Sequence, residues 1–111
     1  MKLSGDVVIP EEKLTRYLLV PRMWDDKSKF LAQGGFLAGN PDELKRAIAN
    51  LAKNAEAVQD GVNEYGVFFR TDGELAGSDG RTLSVTAIWM RRKVDDKVYF
   101  VTLMPRKERK P

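Results

Sequence analysis

The chain has 111 residues, of which 42% are hydrophobic and 32% are charged, and its formal net charge is +3. This length suffices for one domain with one two-layer core, and no apolar run is long enough for a transmembrane helix. Cysteine and histidine are both absent, which excludes disulfides, thiolate zinc sites and Ser–His or Cys–His catalytic centres. We therefore expect a cytoplasmic protein that binds no metal, cofactor or membrane.

Two short helices are predicted near the N-terminus. Over residues 10–19 the apolar residues recur at helical spacing, and Pro21 ends the helix because the residue before a proline disfavours the helical conformation. A second helix is predicted over about 26–33, where the following Gly34 and Gly35 are typical of a helix C-terminus.

The strongest helical pattern covers residues 41–57. Asn40 is a favoured N-cap, Pro41 suits the first helical position, and Glu43 completes a capping-box pattern. The apolar residues of this segment share one side of the helix, which predicts that it packs on a core. They are Leu44, Ala47, Ile48, Leu51, Ala52 and Ala55.

After Gly61 the pattern changes from helical to alternating, which predicts strands over 64–76, 81–92 and 97–104. A Ser-Asp-Gly sequence and an Asp-Asp pair supply the turns between them. In the second strand, Trp89 shares one face with three aliphatic residues. This pattern favours a place in the core over stacking on a nucleic-acid base.

The order of these elements predicts an α+β fold. Two or three N-terminal helices would pack on one face of a three- to four-stranded antiparallel meander. We expect one domain over residues 1–105, followed by a basic, frayed tail over residues 106–111.

Positive charge is concentrated at the C-terminal end. Residues 91–111 contain eight basic and three acidic residues, a net charge of +5, whereas residues 1–90 carry −2. Two interpretations are open: a surface for a polyanion such as RNA, and a strand edge protected by charge against aggregation. Under the first, the candidate contacts to nucleic-acid phosphates are Lys29, Arg91, Arg92 and Lys97.

Four residues are candidate catalytic groups: Lys27, Tyr65, Arg81 and Thr102. Lysine and arginine can stabilise phosphate charge, and a hydroxyl group can bond a phosphate oxygen or, in an unusual environment, move a proton. Each also has a structural interpretation, such as an exposed helix start for Lys27 or a hairpin charge for Arg81. The glycine-rich stretch 73–80 is better explained by a bulged hairpin than by a phosphate loop.

Several separated segments form an ordered set of motifs. Residues 17–21 read Tyr-Leu-Leu-x-Pro, a strand around Trp89 follows later, and residues 101–105 read Val-Thr-x-x-Pro. The other segments of the set are 27–30, 35–36, 64–66 and 75–81. This set resembles an uncharacterised bacterial domain family, whose members occur as small free-standing proteins and as C-terminal modules of polymorphic toxins.

The resemblance extends to the barnase–EndoU–colicin–RelE class of ribonuclease toxins, which share the arrangement of helices followed by a meander. It implies a metal-independent endoribonuclease with RNA as substrate and a cognate antitoxin or immunity protein as partner. Lys27 would stabilise the transition state and Arg81 would orient the phosphate. Thr102 would bond the phosphate from the sheet, and Tyr65 or Glu64 would be the acid or base.

Departures from the family pattern favour an alternative. Relatives commonly have a histidine where this chain has Asp26, and the expected asparagine before Pro21 is Val20. Without histidine, and without a strong catalytic constellation, the chain also fits a non-enzymatic module that binds a protein or a nucleic acid in a toxin–antitoxin-like pair. The two interpretations differ in whether the candidate catalytic residues meet in one cleft.

Overall fold

The structure is a computed structural model that describes residues 2–3, 7–19, 27–37, 39–77 and 80–106. The helical elements are α1 (Glu11–Lys13), a π-helical turn (Leu14–Leu18), α2 (Ser28–Ala32) and α3 (Pro41–Asn54). The strands are β1 (Ala57–Asn63), β2 (Gly66–Ala76), β3 (Thr82–Arg92) and β4 (Val98–Pro105). The fold is therefore α+β, with short helices followed by an antiparallel meander, as the sequence predicts.

The helices differ from the prediction in their ends. The helix predicted over 10–19 begins at Glu11 and widens to a π-helical turn, in which Leu19 N donates to Leu14 O at 3.0 Å. The predicted loop over 20–26 and the tail beyond Arg106 lie outside the described residues. Gly35 has a φ of 86°, so a glycine does end α2, as predicted.

Helix α3 ends three residues earlier than predicted, because the chain becomes extended at Ala55 and joins the sheet at Ala57. Ala55 is extended (φ −90°, ψ 145°), and Ala57 pairs with Thr71 as the first residue of β1. The predicted capping box is also absent, since the Asn40 side chain makes no capping bond. Glu43 N instead donates to the Asn40 carbonyl at 3.3 Å.

The strands form one sheet in the order β1-β2-β3-β4, and all neighbours are antiparallel. The side chains that alternate along β3 from Leu83 to Trp89 are buried. Trp89 has no exposed surface, and its Nε1 donates to Thr71 Oγ1 at 2.9 Å. Trp89 is therefore a core residue with a satisfied indole N–H, and base stacking by this ring is excluded.

Helix α3 packs close to β2 because Gly73 has no side chain. A Cβ atom at Gly73 would lie 2.6 Å from Leu51 Cδ1. The core between helices and sheet also contains Phe36 and Phe100, which are both nearly fully buried. The opposite face of the sheet carries the half-buried residues of β2, β3 and β4 that alternate with the core positions.

The N-terminal segment covers part of the outer edge of β4. Val8 N donates to Val98 O, and Phe100 N donates to Val8 O, both at 2.8 Å. This is a short parallel bridge, centred on Val8 and Tyr99. It brings the start of α1 next to the middle of β4.

Candidate anion-binding site

Strand β4 contains an irregularity at its centre. Thr102 pairs with Ile88 and Phe100 pairs with Trp89, so Val101 is an additional residue that has no partner in β3. Strict alternation would place Phe100 and Leu103 on opposite faces, but both are buried because the extra residue shifts the faces. The predicted alternation of β4 is thus wrong beyond Phe100.

Two lysines from different helices reach this irregularity. Lys13 Nζ donates to Val101 O at 2.8 Å, and Lys27 Nζ donates to Thr102 Oγ1 at 3.3 Å. Lys13 is the last residue of α1, and Lys27 directly precedes α2. Both residues are half-buried. Their hydrogen bonds hold the two ammonium groups at adjacent positions of β4.

The arrangement concentrates positive charge beside a hydroxyl group. An ammonium group has three N–H donors, and a threonine hydroxyl both donates and accepts. The Thr102 hydroxyl also lies 3.4 Å from Leu103 O, a long contact that an oxyanion can replace. The three side chains Lys13, Lys27 and Thr102, which we call the β4 lysine site, have the chemistry of a phosphate site.

Arg81 lies at a different place. It follows the β2–β3 turn, and its Nη1 donates to Gln33 O at 3.3 Å, just beyond the C-terminal end of α2. Lys27 lies at the N-terminal end of the same helix. The Arg81 contact at Gln33 and the residue Lys27 therefore lie at opposite ends of α2, about 9 Å apart along the helix axis.

Tyr65 lies at the opposite end of the sheet from Arg81. It occupies the β1–β2 turn, its side chain is largely exposed, and its carbonyl accepts from Lys93 N at 2.9 Å. Lys93 is five residues along the chain from Ile88, the partner of Thr102, and that interval spans about 16 Å in a strand. The structure brings Lys27 and Thr102 together and leaves Tyr65 apart from them.

The basic residues of the β3–β4 hairpin are partly engaged within the hairpin. The Arg91 guanidinium lies 5.5 Å from the Phe69 ring centroid, and its Nε is 3.4 Å from Asp96. Arg92 lies 4.0 Å above the Tyr99 ring and forms a hydrogen-bonded ion pair with Asp95.

The ion pair between Arg92 and Asp95 shifts the pKa of both side chains. The hydrogen bond from Arg92 lowers the pKa of the Asp95 carboxyl to about 2, with help from the Lys97 backbone N–H, and the pKa of Arg92 is raised in turn. Of the predicted phosphate contacts, Lys29 and Lys97 are exposed. The candidate contacts therefore divide into arginines that stabilise the hairpin and lysines that face solvent.

Sequence reasoning missed Lys13 and Arg70. Lys13 bonds a carbonyl 88 positions away along the chain. The only sequence feature that could have indicated this role is its place at the end of a short amphipathic helix. Arg70 pairs across the sheet with Ile88, in the same row as Thr102. Arg70 Nε is buried without a hydrogen bond of good geometry, although it lies 3.4 Å from Asp72 Oδ2.

Within the described ranges, no three acidic side chains group closely enough to hold a metal ion. No helix in the described part of the chain is long and apolar enough to cross a membrane.

The comparisons with known proteins give a family. Neither a curated protein nor a solved structure matches the chain. Residues 3–107 match the family model of a domain of unknown function, DUF6883, and the chain therefore belongs to that family.

Proposed function

We propose that this domain binds the phosphodiester backbone of RNA at the β4 lysine site. The observation that carries the proposal is the pair of ammonium groups, Lys13 Nζ and Lys27 Nζ, that bond adjacent residues of one strand. Phosphate contacts of this kind supply affinity without reading sequence.

The surroundings of the site support a single-stranded ligand. Phe68 and Tyr99 flank Met90 on the face of the sheet opposite to the core, one row from the position of Thr102. Both aromatic residues are half-buried, and the Arg92 guanidinium covers one face of the Tyr99 ring. A sheet face with aromatic rings beside lysines is how many domains stack unpaired bases and hold the adjoining phosphates.

RNA cleavage by a toxin is a second proposal. The contact of Lys27 with the Thr102 hydroxyl at 3.3 Å favours it, because a lysine at that position can stabilise the charge of a pentavalent phosphate. Tyr65 and Arg81 lie at the two ends of the sheet. The predicted residues therefore place no general acid or base next to Lys27. A cytoplasmic site of action and an antitoxin or immunity partner belong to this second proposal.

Binding is tested with a labelled single-stranded RNA and fluorescence anisotropy over a series of salt concentrations. Lys27→Ala should weaken binding about tenfold, the usual effect of losing one charge-assisted hydrogen bond. It should also reduce the slope of log K against log salt by about 0.7. Lys45→Ala is the matched control, since Lys45 is an exposed lysine on α3. Equal affinities for the two variants would overturn the proposal.

Cleavage is tested separately with the same RNA and the full chain. Growth arrest on expression in a bacterial host, relieved by the neighbouring gene, together with cleaved RNA, would establish the second proposal. Intact RNA with salt-dependent binding would leave the module as a binding domain and remove the catalytic role of Lys27.

A further inference from the structure

Strand β2 is longer than its neighbour β1. The pairing of β1 with β2 begins at Ala57 and Thr71, whereas β2 continues to Ala76. Among the described residues, β3 pairs with positions 72–76 on one side, and no strand pairs with them on the other. Every second residue of this stretch therefore directs its backbone N–H and C=O groups toward an open edge.

This open edge borders a groove. The C-terminal half of α3 forms the opposite wall, and the groove has a volume of about 580 Å³. Leu51 and Ala55 line the helix side, and Leu51 Cδ1 packs against Gly73 on the strand side of the groove. An edge strand facing a helix across an apolar groove is the geometry in which many domains take up a peptide as an added strand.

The groove is polar and negative at its rim. Asn50 and Asn54 line it from α3, and the exposed Glu74 lines it from β2. The Asp72 carboxylate accepts from the Thr86 hydroxyl and lies beside Arg70, so Glu74 is the carboxylate most open to a partner. No lysine or arginine lines the groove among the described residues.

We propose that this groove binds an extended peptide with basic side chains, which pairs with positions 72–76 of β2 and continues the sheet where β1 ends. The backbone of the peptide would bond the open edge. Its basic side chains would meet Glu74 on the face of the sheet away from α3, and its alternating apolar side chains would pack on the α3 side, at Leu51 and Ala55. The proposal is independent of RNA binding, because the groove lies on the opposite side of the sheet from β4.

The charge of the groove favours a basic peptide over a nucleic acid as its ligand. Phosphates approaching Glu74 would be repelled, and the backbone groups of a strand edge match those of a peptide rather than those of a sugar–phosphate chain. A second copy of this chain is the remaining occupant, and it is distinguished by the oligomeric state.

The test is an NMR titration of the isotope-labelled full chain with the peptide acetyl-Val-Lys-Val-Lys-Val-amide. We expect saturable shifts of the amide signals of residues 72–76 and of the α3 residues that line the groove, with a Kd on the order of 1 mM. A version of the peptide N-methylated at every residue lacks the backbone N–H donors that would pair with the strand edge, so it should produce no saturable shift at these positions. A version with glutamate in place of lysine should bind more weakly.

Two variants with the same charge change complete the test. Glu74→Lys should weaken binding of the lysine peptide about fivefold, the upper range for an exposed ion pair. Glu12→Lys, at an exposed position of α1, should leave binding unchanged.

Three results would overturn the proposal. They are the absence of saturable shifts up to about 10 mM peptide, equal binding of the N-methylated peptide, and equal effects of the two variants. A dimer in sedimentation that Glu74→Lys dissociates would also overturn it, in favour of a second copy of the chain.

Discussion

The two edges of the sheet are built in different ways. The β4 edge is covered in its middle by the Val8 bridge and by Lys13, and its residues pack on a core that includes Phe100. The β1 edge is exposed from its second residue onward, and Val62 is 68% exposed. The β4 edge is therefore protected from pairing with another sheet because other segments cover it, whereas the β1 edge has no such cover among the described residues beyond its start.

Charge and a bulge protect the β1 edge. Asp60 and Glu64 are exposed along this strand and the turn that follows it, whereas Glu56 before the strand is bridged to Lys2; the register shifts between Gln59 and Val62, where Gly61 has a φ of 132°. Acidic side chains and bulges keep a flat edge from pairing with another sheet. A small sheet can therefore carry one covered edge with two lysines beside it and one exposed edge with acidic residues.

The largest expected effect concerns the packing of the two edges. Phe100→Ala should lower the free energy of unfolding by about 3–5 kcal/mol, since it leaves a cavity beside Trp89. Val62→Ala should change it by less than about 0.5 kcal/mol. Urea unfolding followed by tryptophan fluorescence measures both. A similar loss for both variants would show that the open edge is as well packed as the covered one.

The contact between α3 and β2 is the next target. Gly73→Ala places a Cβ atom against Leu51 Cδ1 and should lower the free energy of unfolding by about 1–3 kcal/mol through overpacking. Gly39→Ala is the control, since a Cβ atom there would meet nothing within 4 Å. The control should be neutral or slightly stabilising, by up to about 1 kcal/mol. Thermal unfolding that ranks the control as the more harmful change would contradict the close packing at Gly73.

The basic edge is probed by Lys13→Gln, which removes a charge and keeps a polar side chain. RNA affinity should fall about fivefold, somewhat less than for Lys27→Ala, because Lys13 bonds a backbone carbonyl. Asp60→Asn on the acidic edge should leave RNA affinity within about twofold of the original. Anisotropy titrations at one fixed salt concentration compare the two, and a larger effect at Asp60 would reverse the assignment of the edges.

The smallest effect is a local pH dependence at the β3–β4 turn. The pKa of Asp95 is lowered to about 2 by the hydrogen bond from Arg92. Its contribution to stability is therefore present above the ordinary aspartate pKa of about 3.9. That contribution is lost as the pH falls toward about 2.

Carboxyl carbon shifts of Asp95, followed by NMR, measure this dependence directly. Arg92→Gln is the matched variant, in which the midpoint should return toward the ordinary value. An unchanged midpoint in the variant would show that Arg92 is not the cause.

Much of the fold follows from patterns that are local in the sequence. The stripe of α3 and the alternation of β3 depend on neighbouring residues only; β3 lies within one residue of its predicted bounds, and α3 begins where predicted but ends three residues early. Strand β1 was missed because Ala55 continues the helical stripe of α3, whereas the extended conformation that begins there depends on the pairing of Ala57 with Thr71. The extra residue in β4 gave no signal, because a bulge depends on the register with β3.

The candidate site was predictable only in part for the same reason. Lys27 and Thr102 are 75 positions apart, and their contact depends on how the helices pack on the sheet. Both residues were selected by residue type and by the family resemblance, whereas Lys13 bonds a backbone carbonyl that no sequence motif indicates. Arg81 and Tyr65 were selected on the same grounds, and the sheet separates them because each lies at a turn at one of its ends.

The proposed RNA ligand binds at the β4 lysine site and not along the acidic edge formed by β1 and the end of β2. The most direct measurement is an NMR titration of the labelled chain with a short single-stranded RNA, in which the shifted amide signals are mapped on the two edges. We predict saturable shifts at residues 101–103 and at Lys13 and Lys27, with residues 72–76 unchanged. Shifts confined to the β1 and β2 edge, or no saturable shift at all, would contradict the account.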